Sequence, residues 1–338
     1  MRRIIGCLIS LLFLLSCTDR GATYYDEFER KRDVGLHPVE YPDLLGISMQ
    51  LLKIDSLILI NDFKGDSLIH VFDGKHLRLI RKMVSVGNGP GEFLSPLEIQ
   101  VTDSNLYVFY RQTSFLYSMP SAKIPEGGKE LEKLFQASDG ANHLYPLSDA
   151  VFISSGFYQK PYALVDRKGD VFKEFGEYPA YWPKEESFPV EVRAMFHQTS
   201  FLKQAGGERF LAYSSHTIDL YDDVLNPDGP VLVRSWLMGK YDYNYTDGAM
   251  LYTEKGADTE RGIVYAAGSR KYIYVVYDQS KEMNEEKGSL ICIYDWDGNP
   301  VELLQFDKSI SCLVIDEKEN RGYVIAQHPD DALMYFDL

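Results

Sequence analysis

Residues 57–101 read LILINDFKGDSLIHVFDGKHLRLIRKMVSVGNGPGEFLSPLEIQV, and the order of elements in that stretch decides the fold. Residues 57–61 are an apolar run of strand length, and residues 67–72 are a second. Asp73-Gly74 is a tight-turn signal. Residues 76–83 alternate enough for a third strand. A glycine-rich loop, Gly87-Asn88-Gly89-Pro90-Gly91-Glu92-Phe93, leads into a fresh strand at 97–101. The order is strand, strand, turn, strand, loop, strand.

The same order recurs along the chain. Residues 152–154, 162–166, Lys168-Gly169 and 171–175 repeat it. So do 210–214, 218–221, Asp228-Gly229 and 231–236, and again 272–277, 290–294, Asp297-Gly298 and 301–306. Residues 105–110 and 115–119 fit a degenerate copy. A last copy has room for three strands only, at 311–315, 323–327 and 333–336. Six copies give about 54 residues each, slightly more than the about 40–50 of a four-stranded propeller blade. Residues 130–136 could be a short helix or an outer strand, and no helix is expected elsewhere.

The run from Val86 through Pro96 to Tyr107-Val108 resembles an NHL-type propeller repeat. More narrowly, it resembles the six-bladed TolB-like propeller lipoproteins of Gram-negative bacteria. The resemblance implies an all-β fold: a six-bladed β-propeller of four-stranded antiparallel blades over residues 24–338. It implies fold, not chemistry. A propeller must cover its sheet edges, so the N-terminal segment, residues 24–34, is expected to supply the missing outer strand of the last blade.

The N-terminus carries a second signal. Arg2 and Arg3 precede an apolar run over residues 4–15, then Ser16-Cys17. A basic start, a short hydrophobic core and a small residue before the cut make a secretory signal peptide, residues 1–16. The run is too short for a span of roughly 20 residues. Cys17 after Leu14-Leu15-Ser16 resembles the lipobox of bacterial lipoproteins, which implies lipid on its thiol and a tether over 17–23. The place implied is the bacterial cell envelope, the outer membrane first, with the membrane face left open.

The formal charge is −15, and the leader removes two arginines and no acid, leaving −17. An acidic surface repels phosphate backbones, so nucleic acid is not expected as a partner. The membrane contact expected is lipid on Cys17. Of four cysteines, Cys292 and Cys312 remain, both inside apolar runs. The compartment permits a disulfide, but two buried free thiols are preferred.

Connections from the outer strand of one blade to the inner strand of the next share one face of a propeller. Three are long here: 87–93, 176–193 and 239–261. The second carries Tyr178, Tyr181, Trp182 and Phe188; the third carries Tyr241, Tyr243, Tyr245 and Tyr252. Acids accompany them, Glu185, Glu186, Asp242, Asp247 and Glu254 among others. Tyr and Trp offer rigid contact area with a polar tip, as binding surfaces use; the same rings could instead pack the loops onto the blades. The candidate partner- or ligand-binding residues are Asn88, Glu92, Tyr181, Trp182, Arg193, His197, Tyr243 and Tyr245. The glycine loop lacks the Lys-Ser/Thr of a phosphate cradle. In Asp295-Trp296-Asp297-Gly298-Asn299, Pro300 and Phe306 stand where an EF-hand loop needs Gly and Glu, so a plain turn is preferred over calcium. His197 is read first as a hydrogen-bonded structural residue.

Two functions follow. The first is a membrane-anchored binding module offering its loops to a protein, peptide or glycan. The second is a hydrolase or lyase with a divalent ion such as calcium in the channel, served by acids and His197. No catalytic, metal or cofactor-binding residue is singled out, and oligomeric state is not fixed by the sequence.

Overall fold

A computed structural model describes residues 26–40, 45–94, 96–126, 131–223, 226, 229–247, 252–281, 287–327 and 331–338. The leader, Cys17, the tether and the side chain of Tyr252 lie outside them.

Six antiparallel blades follow one another along the chain. Blade one is Ser48–Ile54, Leu57–Asp62, Ser67–Asp73 and Arg78–Ser85; blade two runs from Glu98–Val101 to Glu132–Gln136. Blade three runs from Ala141–Pro146 to Val171–Phe175, and blade four from Ser200–Lys203 to Val231–Leu237. Blade five runs from Gly262–Gly268 to Pro300–Gln305; blade six is Ile310–Asp316, Arg321–Gln327 and Asp331–Asp337 plus an N-terminal strand.

The apolar runs are continuous because both faces of each blade are buried. Side chains alternate across a strand. In Leu57–Asp62, Leu59 enters the layer between blades one and two, with Ile99 and Val108. Its neighbours Ile58 and Ile60 enter the layer between blades one and six, with Tyr323 and Ile325. Such a cluster fills every gap between adjacent blades around the ring. Cys292 sits in the layer between blades four and five, Cys312 in that between six and one. Both are free and buried, and burial pushes the Cys312 thiol up to about 12.

Turn chemistry sets the hairpins. Gly298 and Gly169 take φ of +82° and +88°, a region that costs glycine nothing. At Gly169 a Cβ would also fall 2.0 Å from the Gln136 carbonyl. Asp73-Gly74 behaves differently from the tight turn expected. Asp73 Oδ1 accepts the Lys75 and His76 N–H groups at 2.9 and 3.3 Å. Leu77 N–H then returns to the Asp73 carbonyl at 2.7 Å. The side chain builds a four-residue turn, and the outer strand of blade one starts at Arg78.

The N-terminal segment closes the ring with two very short strands. His37–Pro38 pairs antiparallel with Tyr335 and Met334 as the outer strand of blade six. This strand lies downstream of the segment expected. Residues within that segment, Lys31–Asp33, instead add a parallel fifth strand to blade five, against Leu303–Gln305. Phe28 is 2% exposed and meets Tyr294 edge-on at 5.3 Å. The segment is thus pinned at the four–five boundary before it crosses blades five and six.

Two short helical elements depart from the all-strand expectation within the 176–199 loop: Pro183–Ser187, a 3-10 turn, and Val190–Phe196.

Candidate functional site: the fused long loops

The loops 176–199 and 238–261 pack against each other over blade four. A hairpin, Tyr243–Thr246 with Tyr252–Lys255, forms the second. Val192, Tyr241 and Tyr243 are buried between them, with Tyr181, Trp182, Phe188, Phe196 and Tyr245 around them. Phe196 lies flat on Tyr243, ring centres 3.7 Å apart. Phe188 meets Tyr243 and Tyr245 edge-on at 5.3 and 5.2 Å. Trp182 Nε1 donates to the Tyr241 carbonyl at 3.0 Å, joining one loop to the other.

At the centre is Glu185, with no solvent exposure. It accepts the Trp182 N–H at 2.9 Å, which caps the 3-10 turn. It accepts the Tyr241 hydroxyl at 2.9 Å, and His197 Nε2 stands 3.4 Å away. Burial alone would raise the Glu185 carboxyl, but hydrogen bonds from His197, the Trp182 N–H and Tyr241 outweigh it and hold the group below its ordinary value. Burial lowers His197 against the pull of Glu185, and it takes His216 down to about 4. The resting set is an ionised carboxylate among neutral donors. Arg193 Nε, His197 Nδ1 and, in the blade-four hairpin below, His216 Nε2 are buried without a hydrogen-bond partner, so this region holds polar groups that a fully satisfied core would not.

The structure therefore brings together Tyr181, Trp182, His197, Tyr243 and Tyr245. Arg193 joins them from the helix Val190–Phe196, its guanidinium 5.6 Å from the Tyr178 ring centre. Tyr243 is wholly buried, in contact with the rings of Phe188 and Phe196. Asn88 and Glu92 stand apart, on the linker between blades one and two. There Glu92 Oε2 accepts the Gly89 N–H at 2.8 Å, which folds the glycine loop on itself. Phe93 anchors that loop against Tyr110 and Tyr117.

The description "TolB-like 6-blade propeller-like" matches residues 40–318. The chain belongs to the TolB-like propeller family. Among solved structures, a protein of Bacteroides fragilis named as an exported protein superposes with a TM-score of 0.57 at 13% identity, over 94% of this chain and 96% of that one. A DUF4221-family member from Bacteroides vulgatus gives 0.53 at 12%, over 90% and 97%. Regucalcin of Agrobacterium tumefaciens, a calcium-binding protein, gives 0.51 at 12%, over 91% and 94%. At such identities these show the fold alone. No curated protein matches the chain.

In this TolB-like ring the Asp295 turn uses its oxygens on itself: Asp295 Oδ1 accepts the Asp297 and Asn299 N–H groups at 3.0 and 2.8 Å, and Oδ2 accepts Asn299 Nδ2 at 3.0 Å. Among the described residues no group of three or more His, Cys, Asp or Glu side chains is placed to hold a metal. His197 is sealed under the loops and is not one of the channel-lining residues. The histidine that does line the channel is His143, beside Glu98 and Gln100. Sequence reasoning passed over these three, although Glu98 and Gln100 alternate with Leu97, Ile99 and Val101, a strand with one polar side.

Proposed function

We propose that this TolB-like propeller is a lipid-anchored, extracytoplasmic docking module whose long-loop face binds a protein with a basic surface. The observation that carries the reading is the fusion of two separate linkers into one braced platform around Glu185. Bracing of this kind keeps the outer surface of the loops in one shape, and a preformed surface binds at lower entropic cost. Glu186, Glu191, Asp247 and Glu254 are exposed on that platform. Lys184 is already held by Asp242. Acidic charge of this kind steers and selects a basic partner. The leader and Cys17 support envelope anchoring, and the Bacteroides fragilis neighbour, named as exported, agrees with it.

The test is crosslinking of the native lipoprotein in membranes, with partners read by mass spectrometry. The variant combines Glu186→Lys, Glu191→Lys and Asp247→Lys; Glu319→Lys, on the opposite face, is the control. A basic partner lost only in the loop variant, and released by salt, supports the reading. Partners indifferent to the loop reversals overturn it. Cys17→Ala tests the anchor separately: the protein should leave the membrane fraction, and one that stays there has another attachment.

A further inference from the structure

The inner strands of all six blades enclose a channel of about 780 Å³, within the size range of small-ligand sites. Its wall is divided. On blades one to three it presents Gln50, Glu98, Gln100 and His143, with Leu52 beside them; on blades four to six, Leu202, Val264, Leu313 and Val314, with Lys203 a polar exception. The polar side is held firmly. Gln50 donates to the Ile99 carbonyl at 3.0 Å and accepts the Ile99 N–H at 2.7 Å, tying blades one and two together. Both ends of that amide are therefore occupied.

Glu98 is not so complete. It is 8% exposed. Its Oε1 accepts Gln100 Nε2 at 3.1 Å. Its Oε2 lies 3.3 Å from His143 Nδ1 without hydrogen-bond geometry, and is buried with no hydrogen-bond partner. Glu98 lines the channel, and a carboxylate with one oxygen unsatisfied can turn it to a donor that enters there.

Charge narrows the choice. Asp55, Glu98, Asp103 and Asp149 line the channel against Lys53, Arg111 and Lys203. Lys203 Nζ is used by the Leu147 carbonyl at 2.7 Å and Lys53 Nζ by Asp316 at 3.4 Å. A ligand of either sign would meet its own charge, so a neutral one with O–H donors fits best. The rings of Tyr145, Tyr213 and Tyr265 also line the space. Two have fixed hydroxyls: Tyr265 donates to the Leu51 carbonyl at 3.0 Å, and Tyr145 accepts the Lys203 N–H at 3.1 Å. Aromatic rings sharing one cavity with a carboxylate, an amide and an imidazole match a pyranose, whose C–H face is apolar and whose rim is hydroxyl.

We propose that the channel binds a neutral sugar of mono- or disaccharide size, its hydroxyls on Glu98, His143 and Gln100 and its C–H face on the tyrosines. This site is separate from the loop face, and loop variants should not affect it.

The experiment titrates the mature protein with glucose, galactose, mannose, N-acetylglucosamine, maltose and cellobiose, read by saturation-transfer NMR and by melting temperature. At least one should bind saturably at millimolar concentration. Glu98→Gln and Gln100→Ala should each weaken that binding about tenfold or more, the cost of one good hydrogen bond to a charged group, while the loop variant Glu186→Lys binds as the native protein does. Two variants guard against misfolding, since a folded Gln100→Ala still reads the site. Absence of saturable binding by every sugar in the panel overturns the proposal. So does undiminished affinity in both variants, or tighter binding of glucosamine or glucuronate than of glucose.

Discussion

Between the blades, the buried groups are aliphatic and aromatic side chains from strands that alternate face by face. Beneath the loops 176–199 and 238–261 they are stacked tyrosines and phenylalanines around a carboxylate and two histidines. The first kind of burial is non-directional and grows with area. The second depends on a few hydrogen bonds, each costly to lose. One chain thus contains a ring held by the summed area of its layers and a cap held by a few specific partners. That division suits a scaffold which carries a shaped surface.

The comparison can be broken first in the ring. Phe72 is fully buried between blades one and six. Phe72→Ala should cost about 3–5 kcal/mol, the transfer and cavity terms together, and lower the melting temperature of the whole domain. A loss confined to blade one, seen by hydrogen exchange, would mean that the ring does not unfold as a unit.

Next comes the cap. Glu185→Ala leaves His197, Tyr241 and the Trp182 N–H without their shared acceptor, and each buried donor left unsatisfied costs about 1–3 kcal/mol. The damage should be local. Amide exchange should rise across 176–199 and 238–261 while the strands of blades one and two keep their protection. Glu185→Gln, which retains an acceptor, should fall between. If the blades lost protection along with the loops, cap and ring would be one cooperative element.

The contrast also explains what was legible. The ring could be read because two-sided burial writes itself as short apolar runs at even spacing, as in Leu57-Ile58-Leu59-Ile60. The closing strand could be foreseen from an incomplete last copy, though its register could not. His37–Pro38 carries no pattern beyond two residues, and Lys31–Asp33 pairs with a strand 272 residues away. The helix Val190–Phe196 stayed hidden because its valines prefer strands and Pro189 offers no capping side chain. Tertiary contacts with Tyr241 and Tyr243 support it instead. The aromatics of the long loops were visible as a group, but not the Glu185–His197–Tyr241 set, whose members are up to 56 residues apart.

A smaller effect follows from pH. Burial takes His216 from an ordinary value near 6.5 down to about 4 in the folded protein. Between those two values the unfolded chain holds a proton that the folded chain refuses, so stability falls as pH falls through that window. The slope is about 1.4 kcal/mol per pH unit for one such group. His197, also lowered by burial, adds to it in the same direction. The Glu185 contribution has a different window: its folded value is depressed, so it is lost only as pH drops below the ordinary carboxylate range. Urea midpoints of the native protein and of His216→Asn at pH 7 and pH 5 would show it. The native curve should drop more steeply; parallel curves would mean that His216 reaches water.

The smallest effect sharpens the comparison most. Lys184 also joins the two loops, through Asp242 and through Asn244 at 3.2 Å, but at the surface, where the paired side chains are 36% and 54% exposed. Water and salt screen such a pair, and its worth is about 0.5 kcal/mol or less. Lys184→Ala should therefore leave loop exchange nearly unchanged, by the same measurement in which Glu185→Ala changes it strongly. Geometry alone does not separate the two links, since both bring a loop carboxylate or amide against a neighbour. Burial separates them: the charge of Glu185 has no solvent to return to, whereas Lys184 and Asp242 are rehydrated on parting. If Lys184→Ala loosened the loops as much as Glu185→Ala, the cap would be held from its surface, and a docking partner that covers Lys184 would itself be the clamp.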